Sequence, residues 1–458
     1  MEQILEYVKQ MVWGVPAVVM IAGVGLYLST GSGFVQFTMF PNALRVFFSK
    51  LKRTSSDSSS YRALCTALSA TVGTGNLAGV AGAIAIGGPG AIFWMWICGF
   101  LGMATKYAEA TLAVHYRVKN SDGESTGGPM YIICMGLKKK MHFLAGIYCF
   151  LGVIAALGVG NATQINTVIG GMNHVIVFFG GTQTPIGNLL IGTGLAGMVC
   201  IMLLGGAKKI GSTAERLVPI ASIVYILLGV GILAVKYREI PAAFDMMIRG
   251  AFCPEAVTGG MIGSALLSLR IGASRGVFTN EAGMGTAAIA HASAEVSHPA
   301  EQGMMGIMEV FLDTIVICTI TALAILCSGV PITYGIDEGI GLTIRAFESI
   351  YGAWICVPIM LCLCCFAFAT ILGWGLYGAR CAQYLFGQSC WKYFAGLQTA
   401  VVLISAVLKT GIVWTIAEIV NGLMSIPNLI ALLYTSPVLF GLTKSYKQSI
   451  RKCTGKIS

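Results

Sequence analysis

The sequence predicts an all-α polytopic membrane protein of about eleven transmembrane helices, and three observations carry that expectation. Of its 458 residues, 56% are hydrophobic and only 10% are charged, against roughly 25% in soluble domains; the mean hydropathy is +0.80. Apolar runs of about 20 residues recur, the length that carries an α-helix across roughly 30 Å of hydrocarbon. The short alternating segments of a transmembrane β-barrel do not occur.

The elements follow in order. A first span at about 12–31 comes after a start that carries Glu2, Glu6 and Lys9 and lacks a small-residue cleavage site, so it is expected to stay as a helix and not to be removed as a signal peptide. A basic, serine-rich stretch with Arg45, Lys50, Lys52, Arg53 and Ser55 to Ser60 reads as a loop or an interfacial helix. Further spans are expected at about 64–86, 90–115, 143–169, 188–206 and 216–235, then at about 256–278, 303–327, 352–378, 391–408 and 413–441.

Basic residues set the orientation, because they gather in short cytoplasmic loops. Arg45, Lys50, Lys52, Arg53, Arg62, Arg117, Lys119, Lys138 to Lys140, Lys208, Lys209, Arg216, Arg380, Lys392 and the tail from Lys444 to Lys456 fall on one side. Lys9, Lys236, Arg238, Arg249, Arg345 and Lys409 fall on the other. The N-terminus is therefore expected outside and the C-terminus in the cytoplasm of a multi-pass protein of the cell membrane. Topology also accounts for the net charge of +10, which need not signal a nucleic-acid partner. Most of the 15 cysteines lie within apolar runs, as at Cys318, Cys327, Cys356 and the group Cys362, Cys364, Cys365, and read as small apolar filler, not as disulfides or a zinc site.

The stretch from Ala67 to Gly79 places Ser69, Thr71, Gly73, Thr74, Gly75 and Asn76 at mid-membrane depth. In hydrocarbon an unwound backbone is tolerated only where it lines a cavity or binds a ligand. Freed carbonyls suit Na⁺, and freed amides at the start of the next half-helix suit a carboxylate. The competing reading is a glycine-mediated helix contact, for which Thr-Gly-Asn is more polar than packing needs. A second interruption is expected around Ser268, Gly272 and the arginines Arg270 and Arg275. Interrupted helices at matching places in two five-helix halves point to an inverted-repeat carrier with its site at the midplane. The chain then divides into a peripheral helix with a basic loop (1–62), two halves (63–240 and 241–441) and a basic tail (442–458).

Two longer blocks, Gly87 to Gly102 and Thr279-Asn-Glu-Ala-Gly-Met-Gly285 with Ala290-His-Ala, resemble the signatures of the sodium:alanine (alanine or glycine:cation) symporter family of the amino acid-polyamine-organocation superfamily. The resemblance runs from the first helix to Tyr434; Gly99 and Glu418 depart from the family pattern. It implies a LeuT-type five-plus-five inverted repeat with one extra N-terminal helix, importing alanine, glycine or a similar small neutral amino acid with Na⁺ as coupling ion and no cofactor. By position it implies that Gly75 and Asn76, with Thr74 beside them, hold the substrate carboxylate. Gln164 holds the amino group, Gly272 contributes from the second break, and Trp374 closes over the side chain. Sodium is implied between main-chain oxygens near Ser69 and Val72 and the later residues Ala367 and Thr370.

The residues agree with this on their own terms. Asn161, Gln164 and Asn166 form a polar patch in an apolar helix, and a neutral amide can meet an ammonium without burying a charge. For Asn161 and Asn166 inter-helix hydrogen bonding fits equally well. Thr370 and Trp374, four residues apart, share a helical face. Glu309 and Asp313 are also four apart, and intramembrane charges are expected to pair. One of Arg270 and Arg275 is expected to meet Glu281, Glu309 or Asp313 as an intracellular gate, whereas Lys106 and Glu109 read as a structural pair.

The alternative is a proton-coupled or uncoupled carrier of another small amino acid such as serine or glutamine. Neutral neighbours at the first break favour sodium. A channel needs a continuous polar pore and an enzyme a catalytic constellation facing water, and neither shows in the sequence. His291, Glu295 and His298, expected in a cytoplasmic loop, match no zinc pattern.

Overall fold

The computed structural model describes residues 2–51, 59–120, 123–407 and 411–454. Lys52, Arg53, Ser55 to Ser58, Lys409 and Lys456, which the orientation argument and the basic loop invoke, lie outside them, as do the side chains of Lys9 and Arg451.

The apolar runs are helices. Among the described residues seven are long and apolar enough to cross a membrane: Gly90–His115, Lys139–Phe178, Pro185–Leu204, Gly206–Val235, Pro299–Ser328, Ala353–Phe386 and Glu418–Ile450. The pair Ser59–Thr71 and Thr74–Gly87, bent by 58°, makes an eighth if it is one span. Val15–Gly31, Ala265–Asn280 and Cys390–Ser405 are helices of 17, 16 and 16 residues, below that length. The chain is thus an all-helical, multi-pass membrane protein. The basic stretch after the first helix includes the amphipathic helix Phe40–Leu51, so this part is helical and not a loop. A two-stranded ribbon pairs Val118 with Thr126 and Lys119 with Ser125.

Packing follows the small residues. Gly306 of Pro299–Val310 lies so near Gly90–His115 that a Cβ would stand 2.8 Å from Lys106 O, and the two helices pack along their length. Lys139–Phe178 packs on Cys356–Phe386, and Pro185–Leu204 on Cys390–Ser405. Cys318, Cys327, Cys356 and Cys362 are buried as free thiols.

Two helices are discontinuous, but only one breaks where the sequence suggested. The first opens at Val72 and Gly73. The second does not open around Gly272: Ala265–Asn280 runs unbroken, and the chain unwinds at Glu281 to Gly285 before the half-helix Thr286–His291. Glu281, Gly283 and Gly285 have φ of 54°, 91° and 76°, the left-handed region that ends a helix. A Cβ on Gly272 would stand 2.2 Å from Ala91 O, so this glycine serves helix contact. The apolar, glycine-bearing run from Ile262 onward drew attention to the wrong glycine; the break lies in the Asn-Glu-Ala-Gly-Met-Gly block, whose glycines supply the positive φ.

Candidate functional site

At the first break, hydrogen bonds are rerouted by one side chain. The Gly73 N–H, which would continue the helix to the carbonyl of Ser69, donates instead to Asn76 Oδ1 at 2.9 Å. The Asn76 N–H, which would reach Val72, closes a 3₁₀ turn on Gly73 O, and the Leu77 N–H closes on Thr74 O. The Ser69 and Val72 carbonyls thereby leave the helical ladder, and the Thr74 and Gly75 amides take no backbone acceptor among the described residues. All of this is buried: Ser69, Thr74 and Asn76 are 0% exposed.

Other helices bring polar atoms to the same place. Thr74 Oγ1 donates to Gln164 Oε1 at 3.0 Å, and Gln164 Nε2 donates to Val159 O at 3.2 Å. Gln164 follows a π-helical turn, Gly158–Ala162, the kind of distortion that often marks a functional site. A Cβ on Gly73 would stand 2.6 Å from Thr370 Oγ1 and 3.6 Å from Gln164 Oε1, so only a glycine lets these groups converge. Thr370 Oγ1 is a buried hydroxyl with no hydrogen-bond partner among the described residues. One turn on, buried Trp374 packs its Cβ and ring against Gly160 of the π-turn, edge-on to Tyr377 at 5.9 Å. Ala367, one turn before Thr370, is fully buried. Gly75 faces the other broken helix, with Thr279 Cγ2 2.9 Å and Phe278 Cδ1 3.8 Å from where its Cβ would be.

The second break is capped from within. Glu109 Oε1 accepts from the Gly283 and Gly285 amides at 2.9 and 3.0 Å and from Asn428 Nδ2 at 2.8 Å. A carboxylate of the chain itself thus occupies the amides exposed by that unwinding, whereas the Thr74 and Gly75 amides of the first break take no backbone acceptor among the described residues. Glu281 Oε2 accepts from Thr286 Oγ1 at 2.6 Å.

The buried charges pair differently from the sequence reading. Arg275 meets neither Glu281, Glu309 nor Asp313; its guanidinium lies 3.3 Å from Asp337 and 3.3 Å from Glu418. Arg270 makes no ion pair among the described residues. Glu309 pairs with Lys106 at 2.9 Å and with His291 at 2.9 Å. Asp313 Oδ1 accepts from Asn76 Nδ2 at 2.6 Å. The reason lies in the shifted break: Arg275 sits on the half of its helix before the unwinding, whereas Glu309 lies beside His291, beyond it. His291 itself is fully buried at a helix end, not in a loop. Lys106 turns to Glu309, and Glu109 to the second break, so the two are not a simple structural pair.

Two cavities flank the first break. One of about 470 Å³ is lined by Gly75, Asn166, Arg275, Asp337 and Glu418; at its rim Arg345 holds the Glu338 carboxyl below the usual carboxylate range by a hydrogen bond. The other, of about 370 Å³, is lined by Ser59, Arg62, Thr66, Glu124, Lys208 and Arg380. Spacing alone did not reveal the role of Glu109, the part played by Asp337 or the Asp313–Asn76 contact, because the partners stand far apart in the chain; for Glu109 and Asp313 the local signal was charge inside apolar helices, and Asp337 lies in a loop.

Discontinuous helices that meet at a buried polar pocket between two cavities define a polytopic membrane transporter. The comparisons say which kind: residues 1–457 match the model of the sodium:alanine symporter family, and the chain belongs to that family. It is 40% identical to the sodium/alanine symporter AgcS of Methanococcus maripaludis, over 99% of this chain and 98% of that one. It is 34% identical to the probable sodium/glutamine symporter GlnT of Bacillus subtilis, over 100% and 93%. The fold is similar to the crystal structure of MhsT in complex with L-phenylalanine, with a TM-score of 0.56 at 13% identity, covering 83% of this chain and 97% of that one.

Proposed function

We propose that the chain imports a small neutral amino acid, alanine or glycine, with Na⁺ by alternating access between the two cavities. The observation that carries this reading is the first break itself. It frees the carbonyls of Ser69 and Val72 beside the unpartnered Thr370 hydroxyl, and the amides of Thr74 and Gly75 beside Gln164. Neutral carbonyl and hydroxyl oxygens suit a hard monovalent cation, and amides at a helix start suit a carboxylate. In this reading Ser69, Val72, Ala367 and Thr370 hold sodium. Gly75 and Thr74 hold the carboxylate, Gln164 the ammonium, and Trp374 bounds the side chain; Asn76, whose N–H and Nδ2 are taken by Gly73 O and Asp313, acts by holding the break open and not as a carboxylate ligand. Gly272 is no part of the pocket. The name of AgcS supports alanine, and that of GlnT keeps a larger side chain such as glutamine open.

Five-plus-five symmetry supports the cycle. Helices five apart in order pack on each other: Gly90–His115 on Pro299–Val310, Lys139–Phe178 on Cys356–Phe386, and Pro185–Leu204 on Cys390–Ser405. Counting Val15–Gly31, the second broken helix and Cys390–Ser405 as spans brings the number to eleven, with residues 63–240 and 241–441 as the halves. The basic face then lies in the cytoplasm, so the cavity with Arg275 opens outward and the Arg275–Asp337–Glu418 cluster is an extracellular gate.

A proton-coupled reading has one observation in its favour: the buried carboxylate of Asp313 adjoins the first break through Asn76, where the sequence showed only neutral neighbours. Uptake of radiolabelled alanine into proteoliposomes separates the two. An inward sodium gradient should drive it and potassium should not, with unlabelled glycine, serine and glutamine ranking the pocket. Uptake indifferent to sodium overturns the proposal.

A further inference from the structure

Near the cavity that carries Arg62 and Arg380, a chain of polar side chains crosses the interior away from the ligand pocket. Ser60 Oγ donates to Gln302 Oε1 at 2.5 Å, and Gln302 Nε2 lies 2.7 Å from His291 Nδ1 and 3.3 Å from Ser60 O. His291 Nε2 meets Glu309 Oε2 at 2.9 Å, and Lys106 Nζ donates to Glu309 Oε1 at 2.9 Å. All five residues are 0% exposed. The donor directions are determined by chemistry. A flipped Gln302 amide would set its oxygen against the Ser60 carbonyl, so the amide nitrogen faces His291 and Nδ1 accepts. The imidazole proton then sits on Nε2 and goes to Glu309. The chain closes with one cation, one carboxylate and a neutral imidazole.

Its members come from four segments. Ser60 opens the half-helix Ser59–Thr71, and His291 ends the half-helix Thr286–His291, the two halves on the same side of the two breaks. Gln302 and Glu309 lie on Pro299–Val310 and Lys106 on Gly90–His115, which Gly306 holds in close contact.

We propose that Ser60, Gln302 and His291 are positioning residues of the transport cycle: they pin both half-helices to the packed helix pair and release at the Ser60–Gln302 link when the adjacent cavity opens. The Lys106–Glu309–His291 arm is the permanent one, since parting a wholly buried ion pair leaves an uncompensated charge. The Ser60–Gln302 link joins neutral groups, and Ser59 next to it already lines the cavity, so water can satisfy both partners once they separate. This inference rests on the alternating-access reading above.

Hydrogen exchange of the reconstituted protein, read by mass spectrometry on peptides covering Ser59–Thr71, tests it without any transported substrate. Ser60→Ala and Gln302→Leu should each raise exchange in that segment about tenfold, as loss of a hydrogen bond to a buried partner does, while peptides of Gly90–His115 stay unchanged. Ser60→Thr, which keeps the hydroxyl, should restore protection. In proteoliposomes the two disruptive variants should change the maximal rate of uptake more than the apparent KM. Unchanged exchange in Ser59–Thr71, or a rise spread over the whole chain, overturns the proposal. Loss of sodium dependence in the unaltered protein would instead overturn the symporter reading and leave the exchange result standing.

Discussion

Asn76 holds the first break open, and its replacement has a cost that can be worked out. Asn76→Ala removes the acceptor of the Gly73 N–H, leaving a buried amide unsatisfied at about 1–3 kcal/mol, and removes the donor to the Asp313 carboxylate, worth about 1.5–3 kcal/mol. Together these amount to about 2.5–6 kcal/mol, because the two bonds are on opposite ends of one amide and both are lost. Asp313→Asn should be far milder. Its amide oxygen can still accept from Asn76, so the charge assistance goes, about 1 kcal/mol, and the Thr314 hydroxyl, which donates to Asp313 Oδ2 at 2.9 Å, must turn to accept from the new amide. Thermal unfolding in detergent and alanine uptake in proteoliposomes read the pair. Asn76→Ala should be strongly destabilised and inactive, and Asp313→Asn should keep sodium-driven uptake with a modest loss of stability. The reverse outcome, an active Asn76→Ala or an Asp313→Asn that folds but has lost all uptake, would refute the assignment. The second result would make Asp313 the coupling group and move the reading to protons.

Four other outcomes are expected. Arg275→Gln cuts a partly exposed ion pair to Asp337, about 0.5–1 kcal/mol, and one to the buried Glu418 that costs more, so the protein should fold with reduced stability while the apparent KM for alanine changes a few-fold and substrate release quickens, as measured by efflux. Glu109→Ala leaves two buried amides and Asn428 without their acceptor and should cost several kcal/mol, seen as loss of folded protein on size-exclusion chromatography. Gly272→Ala forces a methyl to within 2.2 Å of Ala91 O and should lower stability, whereas a loss confined to substrate affinity would restore Gly272 to the pocket. Thr370→Val keeps the shape and removes the unpartnered hydroxyl; the sodium concentration for half-maximal uptake should rise about tenfold or more with little change in melting temperature.

Much of this was legible along the chain. Composition and the length of the apolar runs dictate membrane helices, because no other backbone arrangement except a closed barrel satisfies its polar groups in lipid. The first break was also visible, since Gly73, Thr74, Gly75 and Asn76 in succession are too polar and too small for a plain spanning helix. The structure gives that run its mechanism: the Asn76 side chain takes the Gly73 amide and frees the Ser69 carbonyl, and the Asn76 N–H closes on Gly73 O and frees that of Val72. The position of the second break was not legible: the sequence set it around Gly272, because Gly272 and Gly285 look alike along the chain; one meets a neighbouring backbone and the other turns the chain at φ 76°. Which charges meet was decided by tertiary structure alone. Arg275 and Glu418 are separated by a whole set of intervening helices, as are Lys106 and Glu309, and their pairing depends on which ends of those helices are brought together. Sequence by itself determined that the chain spans the membrane and opens at Gly73, since both follow from the polarity of local backbone and side chains in lipid. Only the packing decided what faces that opening, because the Thr370 hydroxyl, the Gln164 amide and the Asp313 carboxylate reach it from helices whose mutual placement no local pattern encodes.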